Sequence, residues 1–152
     1  MYVKDKIVFF STIMLILISL TGCDNTERTK TFTNKINHVE ITTTFIYKGD
    51  KVLKQISKNK IYYSDTVDKT KEALVKTLEP EQQKLQKIKG VEDSITYYDT
   101  YAEETVTMNI DELDFDMLNK LTGITRTGSK GTGISMKKMQ KYFEASGFTE
   151  VK

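Results

Sequence analysis

A chain of 152 residues with one cysteine, one histidine and no tryptophan has length enough for one ordinary domain with a real core. Its 23 basic and 21 acidic side chains leave a net charge of +2, without the basic excess that marks a nucleic-acid partner. A single cysteine also rules out an internal disulfide or a cluster of thiolate metal ligands.

The first predicted element is a lipoprotein signal peptide over residues 1–22. Lys4 and Lys6 precede an apolar block from Ile7 to Leu20, which as a helix would span about 21 Å, short of the ~30 Å hydrocarbon core. It therefore reads as a cleaved h-region rather than a permanent span. Leu20-Thr21-Gly22-Cys23 closes it as a lipobox: small residues let a peptidase approach, and the Cys23 thiol is the nucleophile that takes a diacylglyceryl group. Cleavage would make Cys23 the first mature residue, and losing Lys4, Asp5 and Lys6 takes the net charge from +2 to +1. The expected location is the extracytoplasmic face of the cell membrane, with lipid on Cys23 as the membrane partner.

Residues 23–37 are polar and threonine-rich, and are expected to form a flexible tether. A dozen such residues reach about 20 Å and would let the domain stand clear of the headgroups. The domain itself is assigned to 38–152. Val39, Ile41, Thr43, Phe45 and Tyr47 alternate with polar residues as in a half-buried strand. Lys48-Gly49-Asp50-Lys51 then supplies a type II′ hairpin turn, and Val52, Leu53 and Ile56 begin the return strand. Ser64-Asp65-Thr66 offers N-cap chemistry for a long helix over about 67–88 that buries Leu74, Leu78, Leu85 and Ile88. Pro80 should kink or divide that helix, and Gly90 should cap it. A second hairpin follows at Ser94–Asp99 and Glu103–Ile110, then a short helix at Asp114–Leu121 ended by Gly123, then a glycine-rich loop at 127–133. The last helix starts at Ser135, buries Met136, Met139, Tyr142 and Phe143, and closes at Gly147 with Phe148 folding back. This order predicts an α+β domain, a largely antiparallel sheet built from two hairpins with helices on one face.

Catalytic signatures fare poorly. Gly128 and Gly133 stand five apart before a helix, but Ile134 follows where a phosphate loop needs lysine. Ser135-Met136-Lys137-Lys138 has serine-x-x-lysine spacing, yet companion motifs are out of order and Ser135 is more simply an N-cap. Glu112, Asp114 and Asp116 open like a calcium loop, but Met117 occupies the glycine position. His38 is read as a surface residue without metal partners. No catalytic residue, metal or cofactor is assigned. Tyr62, Tyr63, Tyr98 and Tyr101 are nominated as a ligand-binding cluster whose exposed rings could stack on sugars or peptides; Tyr97 and Tyr98, as strand neighbours, must face opposite ways.

Several short motifs together resemble the small bacterial lipoproteins typified by YehR, a family of unknown function. They are the lipobox at Cys23, Tyr47-Lys48-Gly49-Asp50-Lys51-Val52, Ile88-Lys89-Gly90-Val91, and Gly133-Ile134-Ser135-Met136-Lys137-Lys138. The resemblance implies a compact α+β lipoprotein domain and brings no catalytic residues. The expected function is a non-enzymatic binding module for an envelope protein or small ligand. The alternatives are a small hydrolase using carboxylates such as Glu103, Glu104 or Asp111, or a signalling peptide released from the signal sequence.

Overall fold

The computed structural model describes residues 26–66, 69–122 and 133–152. The signal peptide, the lipobox with Cys23, the Gly123 helix stop and the glycine-rich loop up to residue 132 lie outside the described residues. Strands β1 (Glu27–Ile36), β2 (Val39–Lys48), β3 (Lys51–Tyr62), β4 (Val91–Tyr97), β5 (Tyr101–Asn109), β6 (Ile134–Ser135) and β7 (Thr149–Val151) join one sheet. The path runs β4-β5-β3-β2-β1-β7, with β6 paired to the start of β3, and every pairing is antiparallel. Helices α1 (Lys71–Leu85), α2 (Phe115–Thr122) and α3 (Met136–Ala145) complete the α+β fold.

The register sorts the two faces. Phe32, Thr43, Phe45, Val52, Gln55, Val91, Asp93, Ala102 and Met108, all buried, fall on one face. Val52 and Gln55 share it although three apart, because a bulge beside Ile46 and Tyr47 shifts the β2–β3 register by one residue. The helices pack on this face. The opposite face, which no described helix covers, is rich in threonine and lysine.

The main core gathers Phe32, Phe45 and Phe143, with ring centroids 5.0–6.0 Å apart, and adds Val52, Ile88, Met108, Leu118 and Met136. A smaller core joins Tyr63, Leu74 and Ala102 beneath the N-terminal half of α1.

Local chemistry explains the elements and their departures from expectation. Gly49 has φ +59 while Asp50 does not leave the negative range, the pattern of a II′ turn. α3 starts on its Ser135 cap, whose Oγ accepts from the Lys138 N–H. It ends with the Phe148 N–H donating to the Phe143 carbonyl while the Phe148 ring packs on Phe143. Tyr142 departs from expectation: it is 66% exposed, since Met136, Met139 and Phe143 already define the inward face and Tyr142 lies about 90° around the helix from the centre of that face. α1 is shorter than expected, because Thr70 rather than Ser64-Asp65-Thr66 accepts from the first-turn N–H of Ala73, and Tyr63–Asp65 forms a 3₁₀ turn. Pro80 sits inside α1 without dividing it.

The largest correction concerns the tether. Residues 27–36 are strand β1, paired with β2 along its full length from Glu27 opposite Lys48 to Ile36 opposite Val39. β-branched threonines satisfy the ladder where large apolar residues are lacking, and the one buried ring, Phe32, is enough to seat the strand. Asn37 and His38 are thus a two-residue hairpin turn, both at positive φ (+47 and +69), as type I′ requires. β7, not expected from the sequence, closes over the middle of β1.

Candidate functional site

Three of the four nominated tyrosines come together. Lys60 and Tyr62 are two apart on β3, so both point to the open face. Register places Tyr101 of β5 directly opposite Tyr62 and Glu103 opposite Lys60. The β4–β5 turn, held by the Tyr98 N–H donating to the Tyr101 carbonyl, folds Tyr98 onto Tyr101. The result is a continuous patch: Tyr98 stacks on Tyr101 at 4.5 Å, Tyr101 meets Tyr62 at 5.8 Å, and the Lys60 ammonium sits 4.2 Å and 4.9 Å from the Tyr101 and Tyr62 ring centres. Stacking of the rings and the cation over their faces hold the group together without burying it. The adjacent Tyr62 hydroxyl raises the Lys60 pKa, so the cation persists. Tyr98 remains 42% exposed.

Tyr63 does not belong to this patch. It is only 6% exposed, packs in the smaller core, and its hydroxyl donates to the Tyr98 carbonyl. Alternation turns Tyr63 to the face opposite Tyr62, the side of Ile61 and Ala102, and the chain leaves the strand for the 3₁₀ turn at this residue. Burial, then Asp99 and Glu72, raise its pKa. Its contribution is to brace the turn that carries Tyr98.

On the helix face of the same end, a cleft of about 310 Å³ opens between α1 and the sheet, lined by Val39, Ile61, Leu74 and Thr77 with His38 and Asp65 at its rim. His38 Nδ1 lies 3.9 Å from Asp65 Oδ2, and the His38 side chain is largely exposed, as expected of a surface residue.

The carboxylates nominated for hydrolysis do not converge. Glu103 lies on the open face, Glu104 on the helix face where its Oε2 accepts from the Asn59 amide at 2.7 Å, and Asp111 pairs with Lys51 at 2.6 Å at the other end of the sheet. Among the described residues no group of three His, Cys, Asp or Glu is placed to hold a metal, and Asp114 instead caps α2 through the Met117 N–H. The Ser135 hydroxyl donates to Asp50 Oδ2 at 2.8 Å, and the Lys137 N–H donates to Asp50 Oδ1. Those two bonds hold the Asp50 pKa low, and they commit Ser135 to joining the β2–β3 turn to α3.

Asp93 was not singled out by sequence, although the alternation Val91, Asp93, Ile95, Tyr97 places it inward. It is 7% exposed beneath α1, and neither carboxylate oxygen has a hydrogen-bond partner among the described residues. Glu104 is its diagonal cross-strand neighbour. Burial, reinforced by Glu104, pushes its pKa up to about 6; the Ser94 N–H opposes the shift without reaching hydrogen-bond geometry. The Gln82 and Gln86 amides overhead donate to the Asp93 carbonyl, not to its side chain. The buried Tyr97 hydroxyl also lacks a hydrogen-bond partner among the described residues, and burial raises its pKa.

Comparison with known proteins bears on this surface only through its relatives. The family described as "Protein of unknown function (DUF1307)" matches residues 28–149. "Uncharacterized lipoprotein YehR" of Escherichia coli is 41% identical over 97% of both chains. "Uncharacterized lipoprotein Lin0239" of Listeria innocua is 38% identical over 97% of this chain and 95% of its own. The NMR structure of the E. coli YehR protein superposes with a TM-score of 0.73 at 43% identity, covering 84% of this chain and 93% of that one. A Streptococcus pneumoniae protein shares the fold alone, at a TM-score of 0.59 and 20% identity. The chain thus belongs to the DUF1307 family of proteins of unknown function, and its sequence and fold are similar to those of the uncharacterized lipoprotein YehR.

Proposed function

We propose that this chain is a non-enzymatic binding module of the bacterial envelope, held by lipid on Cys23 at the extracytoplasmic face. Its contact surface is the patch of Tyr62, Tyr98, Tyr101 and Lys60. The observation that carries the reading is the assembly of three tyrosines and a lysine, drawn from two strands and a turn, on the sheet face that no described helix covers. Rings that gather in a core serve packing, whereas rings ordered by one another in solvent present flat apolar area with polar edges, which suits a partner. The divergent carboxylates support a binding role over hydrolysis. The lipoprotein names of the relatives support the anchor.

The test places a photoreactive phenylalanine analogue at position 98 and, separately, at exposed Glu144 on α3 in cells. Recurrent capture of one envelope protein from position 98, lost with Tyr101→Ala, is the expected result. Capture from position 144 alone would move the surface elsewhere. The anchor is checked by Cys23→Ala, which should leave an uncleaved precursor that no longer labels with palmitate; continued processing and labelling would refute lipidation there.

A further inference from the structure

The distance between the lipid-bearing cysteine and the sheet fixes which end of the domain meets the membrane. Only Asp24, Asn25 and Thr26 separate Cys23 from Glu27, the first residue of β1. Even fully extended, that connection spans at most about 14 Å. The Glu27 end of β1 is therefore confined to the neighbourhood of the headgroups. β1 then runs ten residues, about 30 Å, to Ile36. One end of the sheet is leashed, and the other is a strand length away from it.

The register identifies what shares each end. Beside Glu27 lie Lys48 and the Gly49-Asp50 turn, the start of α3, and the 87–90 turn that enters β4. Beside Ile36 lie the Asn37-His38 turn, the end of β3 at Tyr62, and the β4–β5 turn with Tyr98. The whole tyrosine patch is thus at the end remote from the anchor.

Charge is sorted the same way. Lys48, Lys87, Lys89, Lys137 and Lys138 stand at the anchored end, and none forms an ion pair among the described residues. Of the acids there, Asp50 caps α3, Asp114 caps α2 and Asp111 pairs with Lys51, leaving Glu27, Glu92, Glu112 and Asp116 against those five lysines. At the remote end Glu40, Asp65, Glu72, Asp99 and Glu103 offset Lys35, Lys60, Lys69 and Lys71, so no cation excess stands there. Cations within a Debye length of about 8 Å are attracted to an anionic leaflet, and the leash keeps one end of the domain near it.

We infer that the lysine-bearing end formed by Lys48, Lys87, Lys89, Lys137 and Lys138 rests on the anionic headgroups of the anchoring membrane. The sheet then stands upright, and the Tyr62, Tyr98 and Tyr101 patch faces away from the bilayer. The inference rests on lipid attachment at Cys23. It turns the anchored protein into a post of fixed polarity, with its contact surface aimed at partners beyond the headgroups.

The test uses the full-length lipidated protein in vesicles of phosphatidylglycerol and phosphatidylcholine that carry a headgroup nitroxide quencher. Lipid blocks the Cys23 sulfur, so a thiol fluorophore reports one introduced site at a time, Glu112→Cys at the anchored end or Asp99→Cys at the remote end. Flotation is measured first, and protein that does not float with vesicles refutes the anchor itself, a failure distinct from those below. In floated protein, the label at 112 should lose most of its emission and the label at 99 should keep it. Equal quenching at both sites would mean that the sheet lies flat, and quenching at neither would mean that the domain stands clear; either overturns the orientation. The Lys137→Glu, Lys138→Glu double variant, on exposed helix positions, should narrow the contrast between sites. An unchanged contrast in that variant and on purely zwitterionic vesicles would overturn the role of the lysines.

Discussion

The two cores on one face of this sheet are unlike. The main core is closed: Phe45 meets Phe32 and Phe143 edge to face, those two rings meet at a tilt, and aliphatic residues from five elements fill the space around them. The smaller core is open and partly polar, built on Tyr63, Leu74 and Ala102 with Ile61, Leu78, Ile95 and Tyr97 partly buried against them, and the Asp93 carboxylate and Tyr97 hydroxyl beside it have no hydrogen-bond partner among the described residues. The region that holds the fold together has spent its polar chemistry, while the region under α1 has not. The tyrosine patch and the His38 cleft both stand over the second region. Stability and presentation are therefore separable, and substitutions can drive them apart.

The largest effect should come from Phe45→Ala, which removes the ring that touches both other phenylalanines. A loss of about 3–5 kcal/mol in urea unfolding is expected. Leu74→Ala in the smaller core should cost about 2 kcal/mol, and raise amide exchange in α1 more than in β2 and β3. If both substitutions cost the same and exchange rises uniformly, the two cores are one cooperative unit.

Asp93→Asn should act in the opposite direction. With a folded pKa of about 6 against an ordinary 3.8, the folded state keeps a proton that the unfolded chain releases between those values. The stability from this group is present in acid and is lost as pH rises through 6. The asparagine variant lacks that dependence, so it should exceed the parent by up to about 3 kcal/mol at pH 8 and match it near pH 4. Destabilisation at pH 8 would show that the carboxylate has a partner. The smallest effect is His38→Gly, where relief of φ +69 in the I′ turn should gain about 1 kcal/mol or less. A loss would mean that the imidazole's contact with Asp65 outweighs the turn strain.

Where chemistry was local, the sequence was readable. The Gly49-Asp50 turn, the alternation of β2 and β5, the Ser135 cap and the Gly147–Phe148 closure each follow from a few adjacent residues. β1 was missed because its ten residues include only Phe32 and Ile36 as apolar side chains, and its burial depends on β2 and on Phe143, more than a hundred residues later. β7, at three residues, has no periodicity to read. In the candidate site, the tyrosines were visible as residues but their grouping was not, because it depends on register across β3 and β5. The same register brought in Lys60 and left out Tyr63. Asp93 was legible in principle from its alternation with Val91 and Ile95, and was hidden by the habit of assigning acids to the surface.

The pairing of β7 with β1 joins the first and last of the described strands, so this edge of the sheet closes only when segments more than a hundred residues apart have met. Until Thr149–Val151 arrive, Phe32 has neither the Phe143 ring nor the β7 ladder beside it, and Lys30 lacks the Glu150 carboxylate that holds its ammonium at 2.9 Å. A chain in which β7 has not docked thus carries an unfinished sheet edge at β1, and removal of Thr149–Val151 would leave that edge open to another strand.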